Sequence, residues 1–254
     1  MLAAERQARI IELVQRKGSV QVEELARELD VSAMTIRRDL LKLEETGRIE
    51  RCHGGAVAKQ EVSYEDKQIR NMKEKNKIAE RCAGLVSPGD TVFLDAGTTT
   101  YEIAKRIGSV QGITIVTNDL EIAKLMNQGS AELFVCGGRV QKSTGSMLGY
   151  YATGFLQDFR FDVGFFGAAS ISGRLEVMTP TVDKAFLKRE TARRCEKAYL
   201  AVDHSKFGRQ SMVKINGLGD YTAVVTDREF TPEEEEIIER DKIVIMNVCR
   251  RNGK

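Results

Sequence analysis

Residues Val22–Gly55 read VEELARELDVSAMTIRRDLLKLEETGRIERCHGG, and the order of apolar, capping, cationic and glycine positions in this stretch decides the N-terminal fold. Val22, Leu25 and Leu29 recur at helical spacing, with Glu23 and Glu24 in the first turn, where carboxylates meet the positive end of a helix dipole. Asp30-Val31 make a tight turn. The Ser32 hydroxyl suits the cap of a further helix, because it can accept a bond from an otherwise orphaned backbone N–H. At about 100° per residue, Ile36, Leu40 and Leu43 share one side of Ser32–Thr46, and Met34, Thr35, Arg38 and Lys42 share the other.

Outward from this stretch, Ala3–Arg16 predicts a preceding helix, with Ile10, Leu13, Val14 and Lys17 at helical spacing and Gly18 ending the run. Past Gly47, Arg48–Gly55 predicts a short cationic hairpin with glycines where the backbone turns. Three short helices and a basic hairpin are the parts of a winged helix-turn-helix, whose recognition helix meets base edges near its N-terminus. The expected DNA-facing set is Ser32, Met34, Thr35, Arg37, Arg38 and Lys42, with Arg51 and His53 on the wing. Arg37-Arg38 alone equally suits a solvated helix face; the ordered combination is what points to double-stranded DNA.

The segment VSAMTIRRDLLKLEETGRIERCHGGAV resembles the N-terminal domain of the DeoR family of bacterial transcription regulators. That resemblance implies a winged helix-turn-helix ahead of a sugar-phosphate-sensing domain.

Composition narrows the alternatives. A chain of 254 residues with 42% hydrophobic content can bury a sizeable core. The formal net charge of +2 does not itself indicate nucleic-acid binding, so any electropositive surface is local. The five cysteines form no CxxC pair and there are two histidines, so the sequence offers no zinc cluster and calls for no metal or cofactor. No apolar run reaches the ~20 residues that span a bilayer, and Met1–Ile10 lacks the apolar core of a signal peptide. The expectation is a cytoplasmic protein with no membrane partner.

Three segments are expected: residues 1–57 for DNA binding, 58–77 as a linker passing into a polar connecting helix that runs on to Val86, and 78–254 as an α/β domain. From Asp90 onward, short apolar runs (TVFL, ITIV, ELFV, DVGFF, AYLAV, TAVV, KIVIM) alternate with helical patterns, including Pro232–Arg240, which argues for a mostly parallel sheet with helices on its faces. Ligands of open α/β sheets bind at the strand C-termini, and polar residues gather there. Asp95-Ala96-Gly97-Thr98-Thr99-Thr100 follows TVFL and opens a helix, which suits an anion held by backbone N–H groups and hydroxyls, although threonines at a helix start are also simple caps. It matches neither the Walker A nor the dinucleotide-binding pattern.

Further along, DAGTTT, TND, CGG, FFGAASIS and AVDHSKFGRQS are similar, in that order, to the sensor domain of DeoR-type regulators. The resemblance implies a fold related to ribose-5-phosphate isomerases and CoA transferases, with a phosphorylated sugar as the induction signal. Carried over by motif, the effector-site candidates are Asp95, Gly97, Thr98, Thr99, Thr100, Asn118, Gly137, Gly138, Lys188, Asp203 and Lys206. Family members often have an acidic pair before the helix bearing Lys188, whereas this chain has Asp183-Lys184, which bears on ligand preference. The expected function is a repressor of a carbohydrate-utilisation operon, assembled as a dimer or tetramer because paired half-sites mirror protein two-fold symmetry. The main alternative is a sugar-phosphate isomerase with a DNA-binding appendage, for which Asp95 or Asp203 would have to act as the base.

Overall fold

The computed structural model describes residues 2–17, 19–46, 49–52, 54–58 and 64–249. Its N-terminal unit comprises α1 (Ala3–Lys17), β1 (Ser19–Gln21), α2 (Val22–Glu28), α3 (Ala33–Glu45), β2 (Ile49–Cys52) and β3 (Gly55–Ala58). The helical periodicity closes one apolar centre: Ile10, Leu13 and Val14 from α1 pack with Leu25 from α2 and with Ile36, Leu40 and Leu43 from α3. Asp30 turns the chain between α2 and α3 in the left-handed region at φ 51°, a conformation that a short polar side chain tolerates. The wing is an antiparallel sheet in the order β1-β3-β2. Gly55 lies so close to β1 that a Cβ there would stand 2.0 Å from the Val20 carbonyl oxygen.

Within 58–77, expected as a linker passing into a polar connecting helix, residues 64–77 hold a short helix and the start of a second. Helix α4 (Tyr64–Gln68) is joined to the larger domain by the Tyr64 backbone N–H, which donates to the Ser143 carbonyl at 2.9 Å. Helix α5 (Met72–Ala83) follows and buries Ile78, Ala79 and Cys82; it ends at a Gly84 cap, short of Val86. Asn71, left-handed at φ 52°, separates α4 from α5.

The larger domain continues β4 (Thr91–Leu94), α6 (Thr98–Ile107), β5 (Thr114–Thr117), α7 (Leu120–Met126), β6 (Glu132–Val135), β7 (Arg139–Gln141), β8 (Ser146–Leu148), α8 (Tyr150–Gln157), β9 (Phe161–Phe166), β10 (Ser170–Ile171), β11 (Glu176–Thr179), α9 (Val182–Ala192), β12 (Cys195–Ala201), β13 (Val213–Gly217), β14 (Ala223–Thr226), α10 (Pro232–Arg240) and β15 (Ile245–Asn247). Seven strands build one parallel sheet in the order β15-β14-β12-β9-β4-β5-β6. Strand alternation divides its side chains between two cores. Val92 and Leu94 of β4 meet Ile78, Ile103 and Ile122 from α5–α7 on one face. Phe93 meets Leu156 and Leu187 from α8 and α9 on the other, its ring 5.4 Å from both Phe161 and Phe166. The result is a three-layer α/β/α domain.

Two small antiparallel pieces, β7-β8 and β10-β11-β13, lie outside the main sheet. Strand order in the main sheet reverses at the β4–β9 pair: the chain runs outward from β4 to β5 and β6, then returns beside β4 as β9 and proceeds the other way. Neighbouring strands whose connections leave in opposite directions open a crevice at their C-terminal ends.

Candidate functional site

In the N-terminal unit, α3 begins as its sequence predicts. Ser32 Oγ accepts from the Thr35 backbone N–H at 3.2 Å and lies 2.9 Å from Thr35 Oγ1, so both hydroxyls help to set the helix start. Met34 is 73% exposed, and Arg37, Arg38, Leu41 and Lys42 are exposed on the same helix. Arg37 Nη2 lies 3.6 Å from Glu23 Oε1 on α2, a solvent-exposed pair. Arg38 has no ion pair among the described residues. Arg51 belongs to β2, but its side chain and all of His53 lie outside the described residues.

Sequence reasoning passed over Asp39, which is buried on the opposite side of α3. It accepts from Arg6 Nε at 2.6 Å and Gln7 Nε2 at 2.8 Å, tying α1 to the recognition helix.

In the larger domain, a cleft partly open to solvent lies over the C-terminal ends of β4 and β9. Asp95 follows β4 at its centre and is fully buried. Lys188 of α9 donates through Nζ to Asp95 Oδ2 and, at 2.9 Å, to the Gly167 carbonyl, while the Gly167 N–H donates to Asp95 Oδ2 at 3.0 Å. Asp95 Oδ1 is buried without a hydrogen-bond partner among the described residues.

The loop after Asp95 is held from β5. Asn118 Oδ1 accepts the Ala96 N–H at 2.9 Å and Asp119 Oδ2 accepts the Gly97 N–H at 3.0 Å. Asp119 also caps α7 through the N–H groups of Glu121 and Ile122. Burial pushes the Asp119 carboxyl up to about 6 against the pull of those backbone donors, and the Asp95 charge adds to the rise. So fixed, the loop delivers α6 with Thr98, Thr99 and Thr100 on the cleft and Gly97 contributing no side-chain cap. That is the geometry of an anion-binding helix start.

Of the sequence-derived candidates, Asp95, Gly97, Thr98, Thr99, Thr100, Asn118, Lys188 and Lys206 line this cleft. Gly137, Gly138 and Asp203 are not among the residues that line it. Gly138, at φ 120°, permits a close approach: a Cβ there would lie 2.7 Å from the Leu148 carbonyl oxygen. Asp203 Oδ1 accepts from Asn71 Nδ2 at 2.7 Å and from the Ser205 N–H at 3.0 Å, which fixes the 3₁₀ turn (His204–Lys206) that carries Lys206. Burial raises the Asp203 carboxyl, but the Lys206 ammonium and these donors bring it below the usual range. Burial lowers Lys206 to about 8; Asp203 opposes this, and the neighbouring cations Lys67, Lys75 and Arg209 reinforce it.

Lys67, Ser146, Thr179 and Lys184 also line the cleft and were not singled out as site residues. Of these, only Lys184 carried a signal in the sequence, as half of Asp183-Lys184. The structure separates that pair: Asp183 points outward to Arg139 Nη2 at 2.8 Å, whereas Lys184 is buried at the cleft. No group of histidine, cysteine or carboxylate side chains fit for a metal ion occurs among the described residues, and no helix there is long and apolar enough to cross a membrane.

A winged helix-turn-helix joined to an α/β domain with a lysine-lined cleft at its switch point defines a ligand-responsive DNA-binding protein. Comparison with known families gives the particular one. The DeoR-like helix-turn-helix domain matches residues 6–62 and the DeoR C-terminal sensor domain matches residues 70–228. The HTH-type transcriptional regulator GlpR of Haloferax volcanii is 35% identical over 255 residues, covering 99% of this chain and 100% of that protein. The lactose phosphotransferase system repressor of Streptococcus mutans is 34% identical over 235 residues, covering 89% and 93%. Among solved structures, ribose 5-phosphate isomerase A of Methanocaldococcus jannaschii overlays 54% of this chain and 55% of its own at 17% identity, with a TM-score of 0.40. The chain belongs to the DeoR family of transcription regulators.

Proposed function

We propose that this regulator represses a carbohydrate-utilisation operon and releases its operator when a phosphorylated sugar enters the cleft. The observation that carries the reading is the start of α6: a helix N-terminus without a side-chain cap, whose first three residues are threonines and which shares the cleft with Lys67 and Lys206. Backbone N–H groups and cations of this kind suit a phosphate. The buried Asp95 Oδ1, which lacks a partner, suits a sugar hydroxyl. Operator contact falls to α3 and the wing, presented twice by a symmetric oligomer on paired half-sites. Such a regulator works in the cytoplasm, where both DNA and sugar phosphates are found.

The protein acts without catalysis. Aldose–ketose isomerisation needs a carboxylate free to take a carbon-bound proton. Asp95, the carboxylate that lines the cleft among the described residues, is paired through Oδ2 with Lys188 and the Gly167 N–H, and its Oδ1 is assigned here to a sugar hydroxyl rather than to a carbon-bound proton. Phosphorylated sugars should raise the thermal midpoint of the full chain while their unphosphorylated parents leave it unchanged; a ligand at ~100 times its Kd adds about 2.7 kcal/mol. Incubation with phosphorylated aldoses should yield no ketose. Failure of every phosphorylated sugar to stabilise the chain contradicts the sensor, and enzymatic turnover contradicts the non-catalytic role.

A further inference from the structure

Among the described elements, α4 is the first after the wing strand β3, and it reaches the cleft through Lys67. It is five residues long and none of them is buried. A helix so short does not hold its shape alone, so its place is set by the contacts it makes. Three of these join it to the walls of the cleft. The Tyr64 backbone N–H donates to the Ser143 carbonyl at 2.9 Å, in the connection from β7 to β8, whose Ser146 lines the cleft. The Tyr64 ring meets Tyr101 edge-on, with centroids 6.4 Å apart, and Tyr101 directly follows the three threonines that open α6. Beyond the other end of α4, Asn71 Nδ2 donates to Asp203 Oδ1 at 2.7 Å, and Asp203 caps the 3₁₀ turn that brings Lys206 to the cleft.

The bond from Asn71 is the informative one. Asn71 is not among the residues that line the cleft, yet it joins the segment bearing Lys67 to the turn bearing Lys206, the two cations assigned above to the phosphate. Its backbone, left-handed at φ 52°, is one that asparagine tolerates, and it divides α4 from α5. Lys75 of α5 is 3% exposed and donates through Nζ to the Lys67 carbonyl, which closes the same junction from the other side. Helix α5 is anchored by Ile78, Ala79 and Cys82 in the core, whereas α4 buries nothing, so α4 is the part of the junction whose placement a ligand can bias.

Building on the sensor reading above, we propose that Asn71 is a positioning residue for the response to the effector: through Asp203 it holds α4 and the Lys206 turn as one unit, which a phosphate on Lys67 and Lys206 tightens, and α4 passes this change along the chain toward the wing. Tightening α4 favours one placement of the DNA-binding unit over another, which is the unequal affinity that coupling requires. Without the Asn71 amide the sugar still meets Lys67 and Lys206, but the two no longer move together.

The test follows operator affinity of the full chain by fluorescence anisotropy, without sugar and with saturating monophosphates of glucose, fructose and ribose, while calorimetry measures the binding of each sugar. Asn71→Gly removes the amide and leaves the left-handed backbone available. At least one of these sugars should weaken wild-type operator binding by about fivefold or more. Asn71→Gly should bind that sugar within about tenfold of the wild-type affinity and the operator within about threefold, yet shift operator affinity by less than about twofold when saturated. A residue that only stabilises the fold would lower the thermal midpoint and leave the sugar-driven shift unchanged; that result overturns the proposal and leaves the sensor reading intact. Loss of sugar binding in Asn71→Gly beyond about tenfold also overturns it. Amide hydrogen exchange of the wild-type chain gives a check that needs no variant: the sugar should slow exchange across residues 64–71 by about fivefold or more. An unchanged rate there overturns the proposal, and this measurement decides the matter if Asn71→Gly does not fold. If none of the sugars binds the wild-type chain, the sensor reading falls and this proposal falls with it.

Discussion

Lys188 and Asp95 are joined across the base of the cleft, a buried ion pair that ties α9 to the C-terminal end of β4, with side-chain exposures of 8% and 1%. Gly167, following β9, is bonded to both partners, so the pair locks the β4–β9 switch point as well as lining the site. Lys188 is therefore a strut as well as a proposed ligand contact. Lys188→Ala, which leaves the Asp95 charge buried and unpaired, should destabilise the larger domain by about 3–5 kcal/mol. Adding Asp95→Asn should restore part of that loss. Denaturant unfolding of both single variants and the double variant gives the coupling; losses that simply add would show that the two side chains do not act as a pair.

Asp119 predicts a pH dependence. Its carboxyl is raised by burial to about 6 in the folded chain, against an ordinary value near 4 in the unfolded one. The folded state therefore holds this proton more tightly, and stability from this group is fully present below about pH 4 and declines as pH rises toward about 6. The full effect is on the order of 3 kcal/mol. Asp119→Asn should flatten that slope in urea midpoints measured across the interval. An unchanged slope would mean that Asp119 is not the group responsible.

The cluster around Asp119 also shows what the sequence could and could not reveal. DAGTTT and TND were legible because they follow apolar runs that became β4 and β5, and strand ends in such sheets are where ligands bind. Lys67, Ser146 and Lys184 reach the same cleft from α4, β8 and α9, and nothing in one-dimensional spacing brings those segments together. Gly137-Gly138 read as room for a ligand, but Gly138 answers a backbone demand beside Leu148. The seven parallel strands stood out as apolar runs, the five inner ones largely buried and the edge strands β6 and β15 only partly so. The hairpin β7-β8 and the sheet β10-β11-β13 are two to five residues per strand, too short for alternation to register. Residues 58–77 looked polar enough for a linker that leads into a helix, and the anchoring bond from Asn71 to Asp203 spans 132 positions.

For DNA, the exposed face of α3 separates its two arginines. Arg37 has Glu23 nearby at 3.6 Å, whereas Arg38 has no ion pair among the described residues. Arg38→Ala should weaken operator binding by ~1–3 kcal/mol if it contacts a base edge, or lower the log–log salt slope by about one unit if it contacts a phosphate. The fold should be unaffected, since the side chain is exposed. Salt-titrated binding distinguishes the two contacts, and wild-type affinity with a wild-type slope would remove Arg38 from the interface.

Gly55 makes the wing testable without touching a side chain. A Cβ placed 2.0 Å from the Val20 carbonyl oxygen meets backbone that cannot step aside. Gly55→Ala should therefore displace β3 from β1 and destabilise the N-terminal unit by about 2–3 kcal/mol. Amide hydrogen exchange should report faster exchange across the β1–β3 pairing; protection equal to the parent would contradict the packing described.

The central claim is that one chain converts occupancy of the cleft into a change in operator affinity. Such coupling requires a ligand that binds the DNA-competent and DNA-incompetent states unequally. Fluorescence anisotropy on an operator fragment selected from genomic DNA by the protein itself tests it directly, with phosphorylated sugars titrated into the full chain and its Lys206→Ala variant. The account predicts that a phosphorylated sugar lowers wild-type operator affinity by at least about fivefold. It predicts equally that Lys206→Ala binds the operator as the parent does and ignores the sugar. Operator affinity unmoved by every phosphorylated sugar, or a Lys206→Ala variant that responds as the wild type does, would contradict it.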